Sequence, residues 1–321
     1  MSEPRVFTVP ASQPFLTALA RAILSGDLPK SGGTPPGPLD LADITLYMPT
    51  RRAARALGDA FLAANNGGTM LLPTIRPISE GHEDLTLLTE AAELGANSTA
   101  SIGIAPAISE TERRLTLTEL VLAWSHAKDP DNTYTPAQAA NLAADLASLM
   151  DMVETEGVSL DGLNTLAGDA FAEHWQETIQ FLEIITMAWP AHLKEKGLTS
   201  AAARRNELIR SEAARLKSHP PSGPVIVAGV TGSVPATTEL MRTVASMDRG
   251  AIVLPAVDLE LDDRSWNAIA PEDGDKPQHY EHPQYGFCKL LRQLDVKRAD
   301  IQIVANEAPD ATQDTRLKFV S

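Results

Sequence analysis

The segment Val225–Pro235, with the sequence VIVAGVTGSVP, constrains the fold more than any other part of the chain. Its four leading apolar residues are typical of a strand buried on both faces, and Gly229 and Gly232 permit a tight turn directly after it. Apolar residues then recur at helical spacing before a second apolar run, Ala251–Pro255. The segment therefore predicts a strand–turn–helix–strand unit whose two strands are parallel.

The N-terminal part of the chain repeats this pattern. At two places a short apolar run is followed by turn residues and then by apolar residues at helical spacing, which predicts two further strand–helix units. Ser12 is the predicted N-cap of the first helix. The predicted elements are a strand at Val6–Val9, a helix at Pro14–Leu24 that turns Phe15, Leu19 and Ile23 inward, a strand at Ile44–Met48, a helix from Arg51 that turns Ala53, Leu57, Ala60, Phe61 and Ala64 inward, and a short strand or extended segment at Met70–Leu72.

The central part of the chain, from about Glu110 to Leu216, has almost no strand pattern and repeats its apolar residues at intervals of three and four. We interpret it as a helical block inserted into an α/β chain and ended by the Pro- and Gly-containing segment Ser218–Gly223. Strands on both sides of the block imply one discontinuous α/β domain. The predicted domains are 1–109 for the first part of the α/β domain, 110–218 for the helical insertion, and 219–321 for the remainder of the α/β domain and the start of a following region.

Charge and cysteine content limit the classes of function. The chain has 321 residues, with 42 acidic against 27 basic residues and a formal net charge of -15, which disfavours binding a polyanion with the whole surface. Any nucleic-acid contact must use local basic patches. The single cysteine, Cys288, excludes an intrachain disulfide framework and a multi-cysteine metal site within these residues. No apolar run is long enough for a membrane span, so we expect a cytoplasmic protein.

Neither of the turns that follow the predicted strands has the residues of an ATP-binding loop. A P-loop needs glycines around the phosphates, a lysine and a hydroxyl, yet no Gly-Lys-Ser or Gly-Lys-Thr occurs in the chain. The second turn has flexibility and hydroxyls for an anion but no lysine, and a structural turn is favoured over a ligand loop there. The first turn, a degenerate nucleotide-loop position, consists of Pro10, Ala11, Ser12 and Gln13. The second turn, the possible ligand turn, contains Gly229, Thr231, Gly232 and Ser233.

Several short motifs, in fixed order along the chain, resemble the AddB subunit of bacterial AddAB helicase-nucleases, in the version found in alphaproteobacteria. The likeness covers essentially all of this chain. The motifs are LYMPTRRAARAL at 46–57, LLPTIRPI at 71–78, EHWQ at 173–176, AAARRN at 201–206, AGVTGSVPAT at 228–237, LPAVD at 254–258 and HPQYG at 282–286.

The resemblance implies a P-loop NTPase-like, superfamily 1 helicase-like fold whose first RecA-like domain carries a helical insertion. It implies two partners: an AddA-like helicase-nuclease subunit that supplies the ATP-driven motor, and DNA ends with a single-strand/duplex junction. The family's nuclease and its iron–sulfur cluster belong to a C-terminal region, and this chain matches only the N-terminal portion. We therefore expect no cofactor in this chain, with ATP-Mg and the iron–sulfur cluster bound by other parts of the complex.

The same resemblance places the family's P-loop at the Pro10–Gln13 turn, which departs from the pattern, and its paired acids after the Val225 strand, where Gly229 stands instead. Both departures predict a pseudo-helicase without ATPase activity.

The resemblance also places a helicase DNA-contact motif at Pro49–Arg52. There the Thr50 hydroxyl and the helix N–H groups would hold a phosphate, while Arg51, Arg52 and Arg55 supply charge and forked donors. Arg76 is expected to extend this face. The alternative is a solvated first helical turn with Thr50 as its cap.

Other clusters of polar and aromatic residues have structural explanations. We interpret Arg113, Arg114, Arg204 and Arg205 as solvated or ion-paired helix faces, His279 and His282 as a surface segment rather than a metal pair, Asp258, Glu260, Asp262 and Asp263 as a charged loop after a strand, His174, Trp175 and Trp189 as helix packing, and Cys288 as a buried thiol.

Three functions from different classes remain open. The first is a DNA-binding pseudo-helicase that acts as a scaffold in double-strand break resection and recombinational repair. The alternative is a small-molecule enzyme that uses the Gly229–Ser233 turn as a nucleotide or sugar-phosphate site. The third is a purely structural interface for the motor subunit, which would bind its partner but no DNA.

Overall fold

The computed structural model describes residues 5–30, 32–37, 39–65, 68–78, 103–158, 160, 172–273 and 277–304, and of residues 172–177 it describes the backbone alone. The described residues form an α/β fold with a six-stranded sheet in the order β3-β2-β4-β5-β1-β6, and every strand pair in it is parallel. The strands are β1 (Val6–Val9), β2 (Thr45–Met48), β3 (Thr74–Pro77), β4 (Val225–Ala228), β5 (Gly250–Pro255) and β6 (Gln302–Ile303).

Ten α-helices accompany the sheet in the described part of the chain, together with a π-helical segment at Ile184–Ala188. None of the described helices is long and apolar enough to cross a membrane. The helices are α1 (Phe15–Ser25), α2 (Arg51–Ala64), α3 (Glu110–Lys128), α4 (Pro136–Glu156), α5 (Ala172–Glu183), α6 (Trp189–Lys196), α7 (Ala201–Ser218), α8 (Pro235–Ala245), α9 (Asp263–Ile269) and α10 (Tyr285–Leu294).

The chain divides into two compact units. One consists of Met1–His82 and Ile209–Ser321 and contains the whole sheet, and the other consists of Glu83–Leu208 and is helical. The second boundary falls within α7.

Side chains alternate across the sheet, as parallel strands require. On one face Leu46, Ile226 and Val253 pack against α1 and α2, and on the other Tyr47, Val227 and Ile252 pack against α8, α10 and the second half of α7. Because both faces are covered, the central strands are buried along their whole length, as the apolar run Val225–Ala228 predicted.

The strand–turn–helix–strand prediction is confirmed. β4 and β5 are neighbours, parallel, and in register with Val225 opposite Gly250. Their connecting helix, α8, buries Leu240 and Val244 against the sheet. The turn between β4 and α8 therefore lies at the edge where all the strands end.

One local prediction was wrong. Ser12 is not the cap of α1: the N-cap is Pro14, which makes no side-chain hydrogen bond, because the chain turns at Pro10–Gln13 and runs on extended before the helix begins. Met70–Leu72, predicted as a short strand or extended segment, forms no strand. The strand follows at Thr74–Pro77, after Pro73, where Thr74 N–H donates to the carbonyl of Ile44 at 2.9 Å. Pro73 has no N–H, so the ladder with β2 begins only after it.

The helical unit has its own core. Leu117 and Val121 of α3 pack with Leu146 and Met150 of α4 and with Trp189, whose side chain is 1% exposed. Packing of Trp189, as predicted from its spacing, is confirmed. The side chains of His174 and Trp175 lie outside the described residues.

Candidate functional site

Three connecting segments meet at the carboxyl edge of the sheet. β2 ends at Met48, β4 at Ala228 and β1 at Val9, and each is followed at once by a turn and the N-terminus of a helix. A Cβ atom placed on Gly229 would lie 3.2 Å from Cε1 of Phe15 and 3.7 Å from Cδ of Pro49. The turn after β4 therefore lies close to the first residue of α1 and to the turn after β2 at this edge.

The turn after β4 is shaped by two glycines in the left-handed region. Gly229 has φ 71° and Gly232 has φ 64°. A Cβ on Gly232 would lie 2.4 Å from Cδ1 of Leu290, and the Thr238 hydroxyl donates to the carbonyl of Gly232 at 2.8 Å. The turn is thus anchored to α8 and packed under α10, while Thr231 and Ser233 are exposed.

The turn after β1 is closed by its own backbone. Gln13 N–H donates to the carbonyl of Pro10 at 3.0 Å, and Ala11 is exposed while Ser12 is half-buried. Pro10 has no N–H to donate to a phosphate, and the N–H of Gln13 is already bonded to the carbonyl of Pro10, so this turn offers fewer backbone donors than a P-loop.

The start of α2 presents a group of arginines. Thr50 is extended (φ -141°, ψ 161°), and its Oγ1 accepts a hydrogen bond from Ala53 N–H at 3.1 Å, so Thr50 is the N-cap of the helix. Arg51 is half-buried, whereas Arg52 and Arg55 are exposed.

Leu57 and Phe61 hold the opposite side of α2 against the sheet, since both are fully buried. The side of the helix that carries Arg52 and Arg55 therefore faces away from the core, with the half-buried Arg51 at its margin. Helix N-termini and arginine side chains are both suited to phosphate. The arrangement can bind an anion whose charge is spread along the first two turns of α2.

The structure does not bring Arg76 together with these arginines. Arg76 lies in β3 opposite Tyr47, and its Nη1 is 3.6 Å from Oε1 of Glu212. Tyr47 and Glu212 lie on the α7 side of the sheet, whereas α2 covers the other side. The register of β3 thus directs this arginine to the opposite face.

Glu212 is the centre of a network that includes Arg76, Tyr47 and Arg215. Glu212 is 13% exposed, accepts a hydrogen bond from the Tyr47 hydroxyl, and accepts from Nε and Nη2 of Arg215 at 2.7 and 2.8 Å. Burial by itself raises the pKa of Glu212, but the hydrogen bonds and charge of Arg215, with Tyr47 and Arg76, outweigh it and hold that pKa below its ordinary value. Burial and the neighbouring carboxylate raise the pKa of Tyr47 above its ordinary value.

The paired arginines of the helical unit are partly structural. Arg113 is 4% exposed and bonds Asp151 at 2.9 Å, and Arg204 is 6% exposed and donates to the carbonyls of Ile104 and Ala105 at 2.9 and 2.6 Å. Ion pairing, one of the two predicted explanations, is confirmed for Arg113. A solvated face is wrong for Arg204, because its guanidinium is buried against backbone carbonyls. Arg114 is 61% exposed beside Glu110, and Arg205 donates to the Thr155 hydroxyl.

The remaining candidates have the placement that their surroundings predicted. His279 and His282 are exposed, and the structure shows no group of three or more His, Cys, Asp or Glu that could hold a metal among its described residues. Asp258 and Asp262 bond nearby backbone N–H groups in the loop after β5, with Glu260 and Asp263 exposed beside them. Cys288 is buried, and burial raises the pKa of its thiol.

No protein-family model and no curated protein matches this chain.

Proposed function

We propose that this chain is the N-terminal pseudo-helicase portion of an AddB-like subunit, with a P-loop NTPase-like, superfamily 1 helicase-like fold. It holds DNA and serves as a scaffold for an AddA-like motor in the resection of double-strand breaks in the cytoplasm, and it has no ATPase or nuclease activity of its own. The observation that carries the proposal is the group Arg51, Arg52 and Arg55 at the start of α2, on the carboxyl edge of a parallel sheet. Ligands of open α/β sheets bind outside this edge.

The net negative charge of the molecule makes the group of arginines at the start of α2 relevant to DNA binding. Against a net charge of -15, a DNA backbone is attracted only where cations cluster locally. Thr50 supports such a contact even though its Oγ1 caps Ala53 N–H, because a hydroxyl that accepts one bond can still donate its proton to a phosphate oxygen.

The turns at the same edge support a role without ATP hydrolysis. Pro10 opens the turn after β1, and Gly229 rather than a pair of acids follows β4. An ATPase needs a lysine at the phosphates and an acid that holds magnesium, and neither turn supplies them.

The test is a titration of the purified full chain with single-strand/duplex junction DNA at several salt concentrations and, separately, with ATP-Mg. We expect DNA binding that weakens with salt and no nucleotide binding. The double variant Arg51→Ala, Arg52→Ala should lose affinity and show a flatter salt dependence, because fewer counterions are released.

The matched control is Lys194→Ala, Lys196→Ala, which removes the same charge from exposed positions of α6. This control should bind DNA as the unaltered chain does. If the arginine variant bound DNA with the same affinity and the same salt dependence as the unaltered chain, Arg51 and Arg52 would not be the DNA contacts. Stoichiometric ATP or sugar-phosphate binding that is lost in Ser233→Ala would favour the small-molecule enzyme, and binding of neither ligand would favour a structural interface.

A further inference from the structure

Two tyrosines form a ring pair on the surface of the sheet unit. Tyr280 is 70% exposed, and its ring centroid lies 5.0 Å from that of Tyr285 at an interplanar angle of 54°. Tyr285 is half-buried at the start of α10 and packs against the core, whereas Tyr280 has most of its ring in water. An aromatic ring left in water and held beside a second ring is a common anchor of binding surfaces.

Backbone hydrogen bonds fix the segment that carries both rings. His279 N–H donates to the carbonyl of Ile269 at 3.0 Å, His282 N–H donates to that of His279 at 3.0 Å, and Tyr285 N–H donates to that of His282 at 2.9 Å. The ring pair is therefore positioned before any partner arrives, which lowers the entropy lost on binding.

Gln284 joins this segment to the loop after β5. Its Nε2 donates to the carbonyl of Ala256 at 3.0 Å, and its Oε1 accepts from Asp258 N–H at 3.1 Å. Asp258 in turn accepts from the N–H groups of Glu260 and Leu261, both at 2.9 Å. The loop residues 258–263 and the tyrosine segment 279–285 thus form one surface, which we call the tyrosine surface.

Cations already lie on aromatic rings in this region. Nζ of Lys289 is 5.7 Å from the ring centroid of Tyr285, and the guanidinium carbon of Arg298 is 5.0 Å from that of Trp266. Both distances are those of a cation attracted to the negative face of a ring. The exposed ring of Tyr280 offers the same kind of face to a cation from outside the chain.

The charge around the rings favours a cation over a phosphate. Glu260 and Glu281 are exposed on the surface, and Asp263 is exposed while its carboxylate pairs with Arg298 at 2.6 Å. The tyrosine surface contains five carboxylates and no lysine or arginine, although Lys289 contacts its Tyr285 and Arg298 its Asp263. The carboxylates are Asp258, Glu260, Asp262, Asp263 and Glu281. A nucleic-acid backbone would be repelled by this excess, whereas a lysine or arginine side chain would be attracted both by the carboxylates and by the ring.

We infer that the tyrosine surface binds a lysine- or arginine-bearing segment of a partner protein, with a cationic side chain on the ring of Tyr280 and its charge balanced by Glu281 and Glu260. This inference goes beyond the DNA-binding function proposed above and does not depend on it, since the arginines of α2 take no part.

The experiment is a nuclear magnetic resonance titration of the full chain, labelled in its tyrosine rings, with an acetylated hexa-arginine peptide. The chain has four tyrosines, so each ring signal can be assigned by a single substitution. The signals of Tyr280 and Tyr285 should move on titration. Tyr47, which is buried, and Tyr134, which lies in the helical unit, should not move.

Variants separate ring and charge effects. Tyr280→Ala should weaken peptide binding about two- to fivefold, the effect of one exposed cation–π contact, while Tyr280→Phe should keep it. Glu281→Gln should weaken binding more than Glu119→Gln, which removes the same charge from an exposed position of α3.

Three results would overturn the inference. They are unchanged affinity in Tyr280→Ala, equal losses in Glu281→Gln and Glu119→Gln, and a larger shift of the Tyr280 signal with oligothymidylate than with the peptide. The last would assign the surface to nucleic acid, and none of the three bears on the arginines of α2.

Discussion

At the scale of single residues, the most consequential arrangement is the network around Glu212. A carboxylate in the core of a protein is costly unless charges and hydrogen bonds surround it. Arg215 supplies two hydrogen bonds, and Tyr47 and Arg76 supply further stabilisation from two adjacent strands. The sequence could not predict this network, because Tyr47 and Glu212 are 165 positions apart and each is unremarkable in its own segment.

Replacement of Glu212 by glutamine should lower the free energy of unfolding at pH 7 by roughly 2 kcal/mol, because charged hydrogen bonds to Arg215 are lost in a largely buried site. The pKa of Glu212 is lowered in the folded protein, so its ionised form stabilises the fold above the pKa of an unfolded glutamate. That contribution is lost as the pH falls through the lowered folded pKa. The difference between the two proteins should therefore be constant near neutrality and shrink below about pH 4.

Urea unfolding at a series of pH values measures this difference. Glu119→Gln, at an exposed position, is the control and should show little change at any pH. A gap between Glu212→Gln and the unaltered chain that stayed the same down to pH 3 would contradict the role given to the ionised carboxylate.

At the scale of elements, prediction succeeded where the signal is local. β1 and β4 have the predicted bounds, and β5 begins one residue earlier, since a buried parallel strand is a continuous apolar run that needs no knowledge of its neighbours. The predicted inward faces of α1 and α2 are confirmed at Leu19 and Ile23 and at Leu57 and Phe61.

The sequence failed to predict the direction of a side chain where a residue distant in the chain determines it. On α7, Arg204 and Asn206 are buried beside Ala202 and Ile209, because their side chains donate hydrogen bonds to backbone carbonyls that the apolar pattern cannot show. The direction of Arg76 was likewise set by the register of β3, which began after Pro73. The sequence alone located the arginines of α2, because the start of that helix is a local pattern. It could not show that Gly229 lies close to Phe15 and Pro49.

Replacement of glycine by alanine should change the free energy of unfolding in opposite directions in the turn between β4 and α8 and in helix α10. Gly232→Ala should destabilise the protein by about 1–2 kcal/mol, because its φ of 64° is unfavourable for a Cβ that would also meet Leu290. Gly286→Ala is the matched control: nothing lies within 4 Å of its added Cβ, so it should stabilise α10 by up to about 1 kcal/mol. Chemical unfolding of both variants measures the two changes in the free energy of unfolding. Equal changes in the two variants would contradict the packing described for this turn.

At the scale of the whole molecule, the main fact is a strong excess of negative charge, against which the start of α2 presents a local group of arginines. A net charge of -15 opposes a general attraction to DNA, so the proposed binding must depend on few contacts. This separates the proposed mode from that of basic proteins, in which many lysines and arginines contribute together.

The salt dependence of single-strand binding should therefore be shallow. If Arg51, Arg52 and Arg55 make the phosphate contacts, the slope of log K against log salt should be about -2. Fluorescence anisotropy with a labelled oligothymidylate between 50 and about 200 mM salt measures it. A slope steeper than about -5 would show that many more cations take part than α2 provides.

The position of β1 in the sheet has a consequence for how the protein is made. Both neighbours of β1, β5 and β6, come from the far end of the chain, and Thr8 bonds Leu254 across a separation of 246 positions. At ordinary rates of translation, on the order of ten to fifty seconds pass between the synthesis of β1 and that of its first partner strand. During that time β1 has exposed edges, which we expect α1 and α2 to shield until β5 has been synthesised.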